Sequence, residues 1–237
     1  MSLAALQTQP DLIDQVHDRL LAAVVDGTLA PGRRLTQDEL AVMLGVSRQP
    51  VSHALQLLRR RGLFIDSGKR GVAVAPIDAA RICDLYQVRA ALDGLAAELA
   101  GARVQSGHHA DAELAALRAA LTEGQRLAAS PTTSLSALVD ADVAFHSALN
   151  RLSGNSAIVE TVAEQWPHFR RSMRRVLEAP APQHQPVVRR VWDEHAAICE
   201  AIMLGRASDA GNLAREHVAR AAEDTARRLE TTDQAHI

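Results

Sequence analysis

Four side chains in the second half of the sequence are of the types that hold a divalent metal. Asp142 and His146 lie in D-V-A-F-H, His195 in E-H-A-A-I and His217 in R-E-H. Imidazole nitrogens and carboxylate oxygens are the usual donors to such an ion. Asp142 and His146 are four residues apart, so on a helix they project from one face, one turn apart. His195 and His217 each stand 11 residues from Arg206, the centre of the turn between the last two helical segments. In an antiparallel hairpin rising ~1.5 Å per residue, both lie ~16 Å from that turn and can face one another. One more helix packed across the hairpin completes a set of three imidazoles and a carboxylate. Leu138, Phe145, Leu149 and Leu152 put the apolar stripe of the 134–152 segment near Asp142 and His146. These polar groups then face inward and need a partner, and a metal is one. Each histidine taken singly reads first as a hydrogen-bonded or surface residue; the joint spacing carries the argument for a metal. His17, His53, His108, His109, His168, His184 and His236 show no comparable arrangement. Arg89 shares an otherwise apolar helix face with Leu85, Leu92 and Ala96. Such a cation requires an anion: either a ligand carboxylate, which its planar guanidinium matches bidentately, or a partner within the chain such as Asp142 or Glu194. Asn150, one turn after His146, is a further candidate for the same pocket.

These residues need helices to position them, and residues 79–237 read as nothing else. Helical periodicity covers about 79–103, 109–128, 134–152, 156–178, 188–204 and 207–230. The interruptions fall at Ser130-Pro131-Thr132-Thr133, Ser153-Gly154-Asn155, Ala179-Pro180-Ala181-Pro182 and around Gly205. Short connections imply an antiparallel all-helical bundle of six or seven helices. Pro76 breaks the preceding strand and Asp78 can cap the next helix, so 76–78 reads as a linker between a domain at 1–75 and a domain at 79–237.

Residues 1–75 have a different pattern. Leu12, Val16, Leu20 and Val24 recur at helical spacing until Gly27. Thr36-Gln37-Asp38-Glu39 is a capping box that opens a second helix, from about Gln37 to Leu44. Gly45 permits a left-handed turn, Val46 faces the core, and Ser47 is an N-cap for a third helix that tolerates Pro50 and ends near Gly62. The spacing Ala41, Gly45, Val51 supplies a close approach, a turn and a β-branched lock, the needs of a helix-turn-helix. Leu63-Phe64-Ile65 and Val72-Ala73-Val74 flank Gly68, Lys69 and Arg70, two strands with a basic tip, that is, a wing. The fold class is therefore mainly α: an N-terminal winged helix-turn-helix of three helices and a β-hairpin, followed by the bundle.

Charge divides in the same way. The net charge of −2 hides nine Lys/Arg against seven Asp/Glu in residues 1–75, and six of those cations lie between Arg48 and Arg70 with Asp66 as the sole acid. A local basic stretch in a near-neutral chain fits a nucleic-acid footprint. Within 237 residues no apolar run approaches the ~20 needed to cross a bilayer, and Met1 to Pro10 lacks the basic start and apolar core of a signal peptide, so the expected location is the cytoplasm, with no membrane partner. Cys83 and Cys199 form no close pair and read as packing residues.

The run from Leu29 to Leu63, L-A-P-G-R-R-L-T-Q-D-E-L-A-V-M-L-G-V-S-R-Q-P-V-S-H-A-L-Q-L-L-R-R-R-G-L, resembles the N-terminal domain of the GntR family of transcriptional regulators. Y-Q-V-R-A-A-L-D, D-V-A-F-H with S-G-N after it, E-H-A-A-I and the final histidine resemble the FCD ligand-binding domain of its FadR-type branch. The resemblance implies that Arg48 contacts a base edge or phosphate, that the face around Gln49 enters the major groove, and that Gly68 and Lys69 meet the minor groove or backbone. Ser52 stands where many members carry arginine, which shortens or removes one contact; His53 beside it is a further candidate. The resemblance also implies that Asp142, His146, His195 and His217 bind a divalent metal, zinc or nickel first, and that a small carboxylate effector completes the coordination. Asp93 replaces a glutamate common in relatives and is assigned no ligand role. One reading helix covers few base pairs, so a homodimer on a palindromic operator is expected. The family default is repression relieved by effector. Two alternatives remain at this point: a metal-dependent hydrolase using the Asp/His3 set, and a regulator whose metal is purely structural.

Overall fold

The computed structural model describes residues 10–68, 71–108, 111–178 and 181–234. The chain divides into two compact units between Ile77 and Asp78.

In the first unit, α1 (Pro10–Val25) precedes β1 (Arg34–Thr36), α2 (Gln37–Leu44), α3 (Arg48–Arg60), β2 (Phe64–Ser67) and β3 (Gly71–Val74). Val16, Leu20 and Val24, each one turn apart, pack with Val51, Leu55 and Leu58 of α3 in one buried core. The capping box forms: the Thr36 N–H donates to Glu39 Oε2 at 2.6 Å and the Glu39 N–H donates to Thr36 Oγ1 at 3.1 Å. Gly45 has φ +67°, the left-handed conformation the turn demands. Ser47 takes the extended N-cap backbone of α3, but its hydroxyl makes no capping hydrogen bond. The hairpin of β2 and β3 is antiparallel, pairing Phe64 with Val74 and Ser67 with Gly71. Periodicity does not reveal one strand: β1 joins the other edge of β3, giving the order β1-β3-β2. Three residues show only one inward position, Leu35, too little alternation to be read as a strand.

The second unit contains α4 (Ala79–Gln105), α5 (Asp111–Ala129), α6 (Leu135–Leu152), α7 (Ser156–Leu177), α8 (Ala181–Met203) and α9 (Ala207–Gln234). Asp78, Ser134 and Asn155 cap α4, α6 and α7 through side-chain oxygens that accept backbone N–H groups. α8 and α9 form a hairpin around Gly205, and α4 packs along α9. Gly94 and Gly211 permit that packing: a Cβ on Gly211 would stand 3.0 Å from the Gly94 carbonyl oxygen. Phe145, Leu149, Trp192, Ile198, Ile202 and Ala214 share the core. α8 begins at Ala181, seven residues before the expected start near 188. Pro182 falls in the first turn, where backbone donors have no intrahelical partner, and Pro186 lies on an exposed side, where water can take up the freed carbonyl. Cys83 and Cys199 are free thiols, the second buried. Among the described residues, no helix is long and apolar enough to cross a membrane.

Candidate functional site

Three helices bring three imidazoles to one point. His146 on α6, His195 on α8 and His217 on α9 are buried, and their ligand nitrogens all lie within 4.8 Å of one another. His195 Nε2 stands 3.2 Å from His146 Nε2 and 3.1 Å from His217 Nε2. Asp142, one turn before His146, places its carboxylate 3.7 Å from His195 Nε2 and 3.9 Å from His146 Nε2. The far nitrogens face acids. His217 Nδ1 lies 2.7 Å from Glu194 Oε2, whose other oxygen accepts from Arg220 Nε at 2.9 Å. His146 Nδ1 lies 3.0 Å from Asp93 Oδ2, and Arg89 Nε donates to the same oxygen at 3.1 Å. Among the described residues the buried Nδ1 of His195 has no hydrogen-bond partner; its ring stacks on Phe145 at 4.1 Å and meets Trp192 edge-on at 4.7 Å.

This arrangement favours neutral rings. Burial first, then the Arg89 guanidinium, pushes the His146 imidazole below its ordinary value against the pull of Asp142 and Asp93. Burial, followed by His217, His146 and Arg89, drives His195 well below it. Burial acts to raise Asp93, yet Arg89 and His146 hold its carboxyl below the usual range, and Glu194 is held down in the same way by His217, Arg220 and Arg190. Acids at the far nitrogens of His146 and His217 favour the proton there, which leaves two Nε2 lone pairs aimed at His195. A single His195 N–H cannot satisfy both, whereas one cation satisfies all three rings. Nitrogens of a tetrahedral site with bonds of ~2.0–2.1 Å stand about 3.3–3.4 Å apart, close to the 3.2 and 3.1 Å that separate His195 Nε2 from the other two Nε2 atoms. The residues present therefore fit a divalent ion.

A cavity of about 90 Å³ opens beside this cluster, with Arg89, Asp142 and His217 in its wall. Arg89 is 2% exposed, pairs with Asp93, reaches to 3.8 Å from Asp142, and lies 4.8 Å over the Trp166 ring and 4.9 Å over Phe169. Asn150 does not line this cavity. Leu138 and Asp142 do, so the cavity lies on the N-terminal side of His146 along α6 while Asn150 is one turn beyond on the other side, buried.

In the first unit, Arg48, Gln49 and His53 are exposed on α3, with Ser52 half-buried between them; together with Gln37 and Gln56 they line a shallow depression. Arg48 Nε donates to Gln37 Oε1 at 3.2 Å, and its guanidinium lies 3.7 Å from Asp38. Arg59 pairs with Asp66 of the hairpin. Gly68 sits at the hairpin tip with φ +73°. Lys69 and Arg70 lie outside the described residues.

The profile described as the FCD domain matches residues 84–220, and that of bacterial regulatory proteins of the gntR family matches residues 12–74. The chain belongs to the GntR family. Its similarity to an HTH-type transcriptional regulator in an unstable DNA locus of Streptomyces ambofaciens is 33% identity over 218 residues, 90% of this chain and 84% of that protein. A putative GntR transcriptional regulator from Rhodococcus sp. RHA1 superposes with a TM-score of 0.72 at 26% identity, covering 90% of this chain and 96% of that one. McbR/YncC of E. coli shares the fold, with a TM-score of 0.71 at 19% identity over 96% of this chain and 99% of that chain. The protein is thus a DNA-binding transcriptional regulator of the GntR family with an FCD domain, not an enzyme, and the hydrolase alternative falls.

Two residues of this GntR regulator's site were not legible as such in the sequence. Asp93 joins Arg89 to His146, and its signal was available: it lies four residues after Arg89, the spacing of a helical ion pair. Glu194, a candidate partner of Arg89 by sequence, faces His217 and Arg220 instead. It precedes His195 directly, so it points away from the cluster's centre and meets the His217 ring from outside.

Proposed function

We propose that this regulator is a homodimeric repressor that loses operator affinity when a small carboxylate binds beside a divalent ion held by Asp142, His146, His195 and His217. The observation that carries this reading is the convergence of three buried Nε2 atoms, with carboxylates at two of the far nitrogens. Three imidazoles and a carboxylate suit zinc or nickel. A divalent ion held there would supply a fixed positive charge that attracts a carboxylate. Arg89, on the cavity wall and held between aromatic faces, orients the effector carboxylate. Asp93 and Glu194 fix the ring orientations of His146 and His217.

At the other end of the chain, Arg48, Gln49 and His53 read the major groove, Ser52 is too short to replace a long cation there, and Gly68 with Lys69 and Arg70 meets the backbone or minor groove. One such helix reads few base pairs, so two copies on a two-fold operator are required for specificity. The site of action is the cytoplasm, where such DNA lies. Metal analysis after chelation and reloading tests the centre. One zinc or nickel ion per chain is expected in the wild type and a loss of at least tenfold in affinity in His195→Ala. A wild type that retains no ion at saturating zinc and nickel overturns the reading.

A further inference from the structure

The cavity beside the histidine cluster has a direction. Measured from the three histidines, its wall recedes along each helix the same way: Asp142 and Leu138 one and two turns before His146, Val191 and Val187 one and two turns before His195, Ala221 and Thr225 one and two turns after His217. Eight helical residues span about 12 Å. The near end carries Arg89, Asp142 and His217; the body is walled by Leu138, Val176, Val187, Val188, Val191 and Val218. Beyond these, Tyr86 also lines the wall, Asp224 pairs with Arg190, and the Thr225 hydroxyl donates to the Ala221 carbonyl at 2.7 Å.

Charge sets the number of carboxylates. Arg89 contributes one positive charge, Asp93 and Asp142 two negative, and a divalent ion two positive, so the near end is left one charge short of neutral. Glu194 is matched by Arg220 and Asp224 by Arg190. A single carboxylate balances the site. Among the described residues that line the cavity, Arg89 is the one Lys or Arg, so a second carboxylate would be set against the valine wall at the cost of desolvating it unpaired. The cavity is small, about 90 Å³, and runs about 12 Å from the cluster, which suits a compact body of a few carbons.

We propose that the effector is a monocarboxylate with a compact aliphatic body of about three to six carbons, its carboxylate at Arg89 and the histidine cluster and its body along the valine wall. This rests on the carboxylate-sensing reading above and narrows it to a class. Each buried methylene strengthens binding about fourfold.

Calorimetric titration of the zinc-loaded full-length protein with acetate, isovalerate, hexanoate and succinate tests it. Isovalerate and hexanoate are expected to bind at least tenfold more tightly than acetate and succinate. In Val191→Thr, which keeps the shape and adds a hydroxyl to the wall, isovalerate affinity is expected to fall about fivefold or more while acetate affinity and zinc content stay unchanged. Succinate binding as tightly as isovalerate, or no difference between acetate and isovalerate, overturns the aliphatic assignment and leaves carboxylate sensing standing. Retention of zinc with no binding of any of the four acids overturns carboxylate sensing itself, and the aliphatic assignment with it.

Discussion

Asp93 shows what single side chains do at this centre. It is fully buried, accepts from Arg89 and faces the far nitrogen of His146, so it supports a ring without reaching the convergence point of the cluster. Asp93→Asn keeps the shape but removes the charge that favours a lone pair on His146 Nε2. Zinc affinity is expected to fall about 10–100-fold, the usual cost of losing such a partner, as read by competition with a chromogenic chelator. The depressed values of His146 and His195 have a stability consequence for the metal-free protein. Their folded-state values lie below the unfolded value of ~6.5, so the unfolded chain binds more protons as pH falls through that region. The stability these rings contribute is fully present above ~6.5 and is lost progressively as pH drops toward the folded-state values. Chelated protein is expected to show a falling Tm between pH 7.5 and 5.5, and a flat Tm across that window would contradict the burial of neutral imidazoles.

Among the helices, the positioning of α8 depends on a residue that carries no side chain. Gly124 on α5 lies under the Trp192 ring, and a Cβ there would fall 1.8 Å from Trp192 Cη2. Trp192 is 4% exposed and packs against both Phe145 and the His195 ring, so it cannot swing aside without disturbing the cluster. Gly124→Ala is expected to destabilise the protein by about 1–3 kcal/mol despite the higher helix propensity of alanine. A thermal melt that shows stabilisation instead would mean that α5 and α8 can separate freely. The early start of α8 matters for the same reason: Val187 and Val188 line the cavity because the helix already runs through Pro186.

For the whole molecule, the two units carry separate chemistry, so substitutions in each are expected to give opposite phenotypes. Arg48→Ala is expected to weaken specific operator binding at fixed salt while leaving metal content unchanged. His195→Ala is expected to bind operator with near wild-type affinity but to lose its response to the carboxylate. A ligand shifts a DNA-binding equilibrium only by its differential affinity for the competent and incompetent states, typically ~1–3 kcal/mol, and deleting the ligand site deletes that contribution alone. Operator titrations with and without isovalerate, with helicity checked by circular dichroism, measure both; a folded His195→Ala protein that still responds would remove the metal centre from the sensing mechanism. Local rules in the sequence determined much of this protein. Capping at Thr36, the left-handed turn at Gly45, helical periodicity through the second half and the equal distances of His195 and His217 from Arg206 are all properties of spacing along one chain. Spacing along a helix also put Asp142 beside His146. It could not tell which side of His146 opens into a cavity, and so Asn150 was expected there. Nor could it find β1, whose three residues gain meaning only from pairing with β3. The partners of Arg89, His146 and His217, and the valine wall drawn from α7, α8 and α9, were decided by packing between helices, because burial and electrostatic pairing depend on distances that sequence separation does not contain.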